Sequence, residues 1–454
     1  MTMSLERAAL DAAERAGRTA ADAPAGVTRA VLDAFSVAVP GSASRVVGQL
    51  TEALEVSGAG PSPVWFSGGA ALAGDAALLN GAAIHVNDFD DTHDAAIVHC
   101  MSVILPAAYA GWRDGRTDTL LSAVAAGTEL ACNLALARPH YSGWHYTTLL
   151  GAMGAALAHA TAAGAPDEVV ADAVGNAYVH LGGNKQVVLD ASVAKRLMPG
   201  TSARAGVLAS RLAHAGIGGV RGWLGGEYGL LTHYYGSDRN KAEVHGGERP
   251  RIDELSLKPY PACRFTHGAI EAALLLRERL GAETAAGLER VRVRYPATDR
   301  FGIVVRPFES RGAAEMDAQF STAFLVASAL VHGRIDFESY GPGLIDDPTV
   351  VDLAGRVDVV QDVEVDDSAA LGPIEVEGSG ASITVETVLG AVGRPLGAEL
   401  ARAKFETCRS RAVALGTAAE RLPTYDELAD ALETADGTTL RNLVAGRPRV
   451  GTNS

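Results

Sequence analysis

Up to about Arg251 the apolar positions of this 454-residue chain recur at helix spacing, and at Arg290-Val291-Arg292-Val293-Arg294-Tyr295 they switch to strict alternation. One kind of element cannot serve both patterns: the first buries a stripe of a helix, the second one face of a strand. Val27, Val31, Leu32 and Phe35 carry the helical period, as do Leu120, Leu121, Val124 and Thr128 with Leu134 beyond. Gly and Pro punctuate these runs at Pro40-Gly41, Gly58 to Pro63, Gly164 to Pro166 and Gly216 to Gly219. The pattern predicts a large all-helical domain over residues 1–255.

After Lys258 the texture is mixed. A helix is expected from about Thr266 to Leu280, then the alternating strand, then a helix from about Ala318 to His332 whose apolar face holds Phe320, Phe324, Ala327 and Val331. Val357 to Val360 reads as a strand, and Ile374-Glu375-Val376 and Ile383-Thr384-Val385 read as a pair joined through Gly378-Ser379-Gly380. This makes an α+β domain over 256–397. Leu428, Leu432 and Leu440 then restore the helical period, so residues 398–454 are expected to return to the first domain. The fold class is mainly α with an α+β insertion.

Composition narrows the partners. With 48% hydrophobic and 20% charged residues the chain is expected to fold throughout. Its net charge of −15 disfavours nucleic acid, whose phosphates need a basic face. Cys100, Cys132, Cys263 and Cys408 lie far apart without a C-x-x-C pair, which disfavours zinc and iron–sulfur sites and suits a reducing cytoplasm. The first thirty residues carry Glu6, Arg7, Asp11, Glu14 and Arg15 and lack the apolar stretch of a signal peptide, so cytoplasmic localisation is expected. Pro139 to Pro166 has no charged side chain and is long enough to span a bilayer. Its Ala, Gly, Thr and His content, including His140, instead predicts a buried helix with Gly151, Ala155 and Ala158 along one close-packed face.

The densest polar cluster is Asn87-Asp88-Phe89-Asp90-Asp91-Thr92-His93-Asp94, with His99 shortly after. Adjacent carboxylates repel one another, a cost usually met for a metal, a cation or a proton-transfer role. Helix-end capping by Asp and Thr is the plainer alternative. Asp90-Asp91-Thr92-His93-Asp94 also fits the D-D-x-x-D box of class I terpene synthases, but the second metal box of those enzymes is missing, so magnesium-dependent prenyl chemistry is a minor reading. His145, Lys195 and Lys258 interrupt apolar or glycine-rich context elsewhere. Taken singly, such a His is more often a hydrogen-bonded core residue and such a Lys more often sits on a solvated face.

Asn80-Gly81-Ala82-Ala83-Ile84-His85 through Asp88-Phe89-Asp90-Asp91-Thr92-His93 resembles the hallmark segment of the MmgE/PrpD family, which includes 2-methylcitrate dehydratase, cis-aconitate decarboxylase and iminodisuccinate epimerase. The resemblance continues through Ala194-Lys195-Arg196-Leu197-Met198-Pro199-Gly200, Ala203-Arg204-Ala205-Gly206, and Lys258-Pro259-Tyr260-Pro261-Ala262-Cys263-Arg264 with His267, and ends at Lys404-Phe405. It implies a helical domain with a smaller α+β lid, a homodimer, a site between the domains, and no metal or organic cofactor. Carried over by position, the family's site residues fall on Asp88, Thr92, His99, His145, Lys195 and Lys258.

The family's chemistry is proton transfer at a carbon next to a carboxylate, through an enolate-like intermediate that loses water, loses carbon dioxide or is reprotonated. That requires a base titrating near neutrality and fixed positive charge. The expected roles are His145 or His99 as general base or acid, Lys258 as second proton carrier, and Asp88 as the group orienting a neighbouring His or Lys. Lys195 and Arg264 would bind carboxylate and Thr92 would hydrogen-bond the substrate. Cys263 and Phe324 stand where cis-aconitate decarboxylases carry His and Tyr, and Cys263 is taken as a substrate contact. A lyase is the first expectation and an isomerase or epimerase the second, because the two differ only in the fate of one intermediate. A non-enzymatic small-molecule binding protein is the alternative from another class.

Overall fold

The computed structural model describes residues 4–56, 58–138, 143–236, 246, 249–309, 314–364 and 371–446. The chain divides into two compact units, one of Met1–Asn184, Arg196–Leu255 and Ala398–Ser454, the other of Lys185–Lys195 and Ser256–Gly397. The short 185–195 segment, which the sequence pattern leaves within the first helical stretch, thus groups with the second unit. Its Lys195 ammonium lies over the Phe320 ring of that unit, 4.9 Å from the centroid.

In the first unit, helix Ala25–Ser42 buries Val27, Val31, Leu32 and Phe35, and helix Thr117–Leu136 buries Leu120, Leu121, Val124, Thr128 and Leu134. Helix Tyr146–Ala162 is central, packed against Met101–Gly111, Thr117–Leu136 and Met198–His214. Its small residues do not form one contact face, as the sequence suggested. A Cβ on Gly151 would meet Val103, one on Gly154 would come 2.6 Å from the Gly127 carbonyl oxygen, and Ala155 lies against Gly206. Three neighbouring helices crowd this helix on different sides, so small residues are needed all round it. Pro139 and His140 lie outside the described residues. Among the described residues the one straight helix long and apolar enough to cross a membrane is Thr117–Leu136, and it is largely buried within the protein.

The helical run has one break of type: β1 (Ser62–Val64) and β2 (Gly69–Ala71) form a short antiparallel ribbon. Phe66 and Gly68 take positive φ between them, a turn no helix can contain. Helix Ala398–Ala414 packs on Ala25–Ser42, and helices Tyr425–Glu433 and Gly437–Ala445 follow with Leu428, Leu432 and Leu440 buried.

The second unit holds a four-stranded sheet of β3 (Val291–Pro296), β4 (Val357–Val363), β5 (Ile374–Gly378) and β6 (Ala381–Val385), in the order β4-β3-β5-β6. β3 runs parallel to β4 and antiparallel to β5. Val291, Val293 and Tyr295 are buried, while Arg292 pairs with Asp358, and Arg294 with Asp362 and Glu375, on the other face. β5 and β6 are joined by Ser379 and Gly380, both at positive φ, the geometry that matches strand twist in a two-residue hairpin. Helix His267–Leu280 packs on β5 and β6. The single helix expected over 318–332 is two, Ala314–Gln319 and Thr322–His332. Ser321 breaks it by accepting the Phe324 N–H at 3.2 Å as a fresh N-cap.

Candidate active site

The acidic cluster occupies the loop between helix Ala73–His85 and helix Met101–Gly111. Asp88 and Ile97 take positive φ, and the His93 N–H donates to the Val98 carbonyl at 2.9 Å, so the loop doubles back. His85 at one helix end, Asp90 in the loop and His99 before the next helix are thereby brought together. His85 Nδ1 lies 2.9 and 3.1 Å from the two Asp90 carboxylate oxygens, and His99 Nδ1 lies 3.4 Å from Asp90 Oδ2. The two imidazoles meet edge to face with centroids 4.7 Å apart. Burial by itself would raise the Asp90 pKa, but the two histidines outweigh it and hold the group well below the usual carboxylate range.

Asp91 has a different task. Its carboxylate accepts the Cys100 and Met101 backbone N–H groups, each at 3.0 Å, and so caps helix Met101–Gly111. Burial, with Asp90 beside it, pushes its pKa well above the ordinary value. The plain capping reading therefore holds for Asp91 and not for Asp90. With these two carboxylates directed to different protein partners and Asp94 half-buried, the D-D-x-x-D spacing does not converge as a diphosphate box requires.

Of the residues expected at a site, Thr92 Oγ1 lies 3.5 Å from His99 Nδ1. The His99 backbone N–H donates to Thr147 Oγ1 at 3.0 Å. His145 is the N-cap residue of helix Tyr146–Ala162, its Nδ1 3.2 Å from Thr148 Oγ1. The Thr148 hydroxyl donates to the His145 carbonyl at 2.9 Å, so its oxygen is left to accept from Nδ1–H, which puts the ring's lone pair on Nε2. Two consecutive threonines in the first turn of one helix thus hold both expected histidines. Asp88 is buried, with Arg196, also buried, 3.9 Å away. The carboxylate against the imidazoles is Asp90, which the sequence reading did not place in the site. The loop is braced by Arg138, which donates to the Ala95 carbonyl at 2.8 Å and stacks over Tyr146, and by Lys404, which donates to the Phe89 carbonyl at 2.9 Å.

The remaining expected residues belong to the second unit. Lys195, Lys258, Cys263 and Arg264 are all buried there. The Cys263 N–H donates to the Gln319 carbonyl and Gln319 Nε2 donates to the Pro261 carbonyl, each at 3.0 Å, which pins the 258–264 loop to the end of helix Ala314–Gln319. Because Lys195 lies over the adjacent Phe320, both lysine motifs meet at the Gln319-Phe320 break. Arg264 donates to the Leu389 carbonyl at 2.9 Å. Phe324 is fully buried and stacked against Phe308.

Among the described residues, His85, Asp90 and His99 are the set by which a metal could be held, with their ligand-type atoms within 4.8 Å of one another. His85 was legible only as part of the Asn80 to His85 segment, and its position five residues before Asp90 was the signal that could have joined them.

The MmgE/PrpD N-terminal domain matches residues 13–243, and the MmgE/PrpD C-terminal domain matches residues 260–426. The chain belongs to the MmgE/PrpD family. It is similar to proteins named cis-aconitate decarboxylase: one from Aspergillus terreus, 28% identical over 73% of this chain and 74% of the relative, and one from Homo sapiens, 27% identical over 84% and 81%. The Mus musculus protein of the same name is 26% identical over 92% of this chain and 88% of its own length. As a member of the MmgE/PrpD family the chain is an enzyme, of the lyase type those names describe.

Proposed function

We propose that this protein acts on a small di- or tricarboxylate by proton transfer at the carbon next to a carboxylate, the intermediate then losing carbon dioxide or water, with no metal or organic cofactor. The observation that carries the reading is the pair Thr147 and Thr148, whose hydroxyls meet the His99 backbone N–H and the His145 imidazole at the start of one helix. Two histidines fixed together suit a proton moved at a defined atom. The positive end of that helix favours an anion there as well.

In this reading His99 or His145 moves the first proton and Lys258 the second. Lys195 and Arg264 bind carboxylate, Thr92 hydrogen-bonds the substrate, and Cys263 shapes its far end. Asp88 with Arg196 supports the same loop. Fixed cations offset the charge that develops on the enolate-like intermediate, which is why buried lysines are useful in a chain of net charge −15. The relatives' names make cis-aconitate the first substrate to try. Cys263 and Phe324, where the resemblance expects His and Tyr, make a related polycarboxylate the second. The reading includes a cytoplasmic homodimer, whose assembly sedimentation velocity checks.

Incubation with a panel of di- and tricarboxylates in deuterated water, followed by NMR, tests the proposal. A product that has lost carbon dioxide and carries solvent deuterium on carbon, or one that has lost water without gaining deuterium, is expected, and EDTA should leave the rate unchanged. Deuterium exchange with inversion and no loss of either group would replace the lyase by an epimerase. Loss of activity on chelation with recovery on adding magnesium would overturn the metal-independent mechanism.

A further inference from the structure

We propose that Asp90 is a positioning residue that sets the tautomer of His99: its carboxylate keeps the proton on Nδ1, so that Nε2 carries the lone pair used in proton transfer. This rests on the reading of His99 as a proton carrier given above. Asp90 is fully buried, and His85 and His99 both direct Nδ1 at its carboxylate. An ionised carboxylate accepts hydrogen bonds and donates none, so an imidazole nitrogen facing it is stable only as N–H. The opposite His99 tautomer would turn a lone pair toward the carboxylate in a buried, low-dielectric setting. Thr92 Oγ1, at 3.5 Å, is the other group facing Nδ1, and as a hydroxyl it accommodates either tautomer. Asp90 therefore decides.

His85 completes the device. Its Nδ1 faces both carboxylate oxygens and fixes the Asp90 rotamer, while its ring packs edge to face against His99 and restricts that ring. When His99 takes a proton from substrate, the imidazolium forms beside a carboxylate already in place. The 3.4 Å contact is long for a charge-assisted bond, and such contacts tighten as charge develops on the imidazole. The 2.9 and 3.1 Å distances at His85 are those of direct N–H···O bonding and need no bridging ion.

The test is imidazole 15N NMR of the full chain at pH 7.5 without substrate, beside steady-state kinetics. Wild type should show His99 protonated at Nδ1 with a pyridine-type Nε2. Asp90→Asn offers both a donor and an acceptor to that nitrogen, so the tautomers should mix and kcat should fall about 10³-fold or more with KM within a few-fold, as when the carboxylate of a Ser-His-Asp triad becomes an amide. Asp90→Glu should retain the Nδ1–H form and recover at least tenfold of the lost rate. His85→Asn should retain the tautomer with less than a tenfold loss in kcat.

A wild-type His99 protonated at Nε2 overturns the proposal, as does an unchanged tautomer in Asp90→Asn. So does a stoichiometric metal whose removal shifts the His85 and His99 resonances. If Asp90→Asn does not fold, the wild-type spectrum and the Glu variant decide by the same criteria. Failure of the carboxylate panel with the expected tautomer present would sink the proposed reaction and leave the assignment of Asp90 standing.

Discussion

Lys404→Met should destabilise the protein by about 3–5 kcal/mol and loosen the loop that carries Asp88 and Asp90. The Lys404 ammonium lies 2.7 Å from Asp33 Oδ1 and donates to the Phe89 carbonyl at 2.9 Å, and both side chains of the ion pair are about 95% buried. At 2.7 Å and an effective dielectric near 20, the gross attraction is about 6 kcal/mol, most of it offset by desolvation of the two charges. Methionine keeps most of the volume, so the loss comes from an Asp33 charge stripped of its cation rather than from a cavity. Urea denaturation followed by circular dichroism measures the single variants and the Asp33→Asn/Lys404→Met pair. The double variant should be more stable than Lys404→Met by at least about 2 kcal/mol, since removing both charges removes the uncompensated one. In the Lys404→Met protein kcat should fall more than the fraction folded does, because Phe89 adjoins both Asp88 and Asp90. A single-variant cost under about 1 kcal/mol, or a double cost equal to the sum of the two singles, would refute the reasoning.

Replacing His145 or Lys258 by Ala should each lower kcat by ~10²-fold or more with the circular dichroism spectrum unchanged, and near-normal turnover in both would remove them from the proton path. Citrate-like ions should raise the melting temperature and compete with substrate where chloride of equal ionic strength does not, and Lys195→Met should abolish that protection; equal protection by a neutral ligand would rule out a carboxylate site. His159 is buried against Ser210, 2.8 Å from its hydroxyl, and burial, with Arg113 nearby, brings its pKa down to about 3. Between that value and the unfolded value of ~6.5 the unfolded chain binds a proton that the folded chain does not, so stability present above ~6.5 should fall by about 1.4 kcal/mol per pH unit on acidification. Urea midpoints from pH 7.5 to 4 should lose part of their slope in His159→Gln, and an unchanged slope would count against the assignment.

What the sequence displayed openly was whatever depends on neighbours along the chain. The helical stripe of Val27 to Phe35, the alternation at β3 and the Ser379-Gly380 turn each follow from local sterics and burial, and each is found where the pattern put it. The ribbon at 62–71 was hidden because strands of three residues are too short to establish a period. The break at Ser321 was masked by apolar residues that fit one continuous helix across it. At the site the reactive residue types stood out, but not their pairings. Which of four clustered carboxylates meets the imidazoles depends on the positive-φ turns at Asp88 and Ile97, and only the folded loop separates the Asp91 cap from the Asp90 contact.

Lys404 grips a carbonyl that lies 315 positions earlier in the chain, and the α+β segment is made in between. On a ribosome adding ~5–20 residues per second, those intervening ~140 residues take roughly 7 to 30 seconds. During that interval the 25–42 helix lacks the Lys404 ammonium against Asp33 and the Phe89 loop lacks the same anchor, Arg138 remaining its brace, while residues 256–397 can already fold with the 185–195 strip made before them. The second unit is therefore complete before the first, and the histidine loop waits through its synthesis for the Lys404 support. Chaperone capture of arrested nascent chains should be greater for those stalled just short of Lys404 than for those in which Lys404 has left the ribosome.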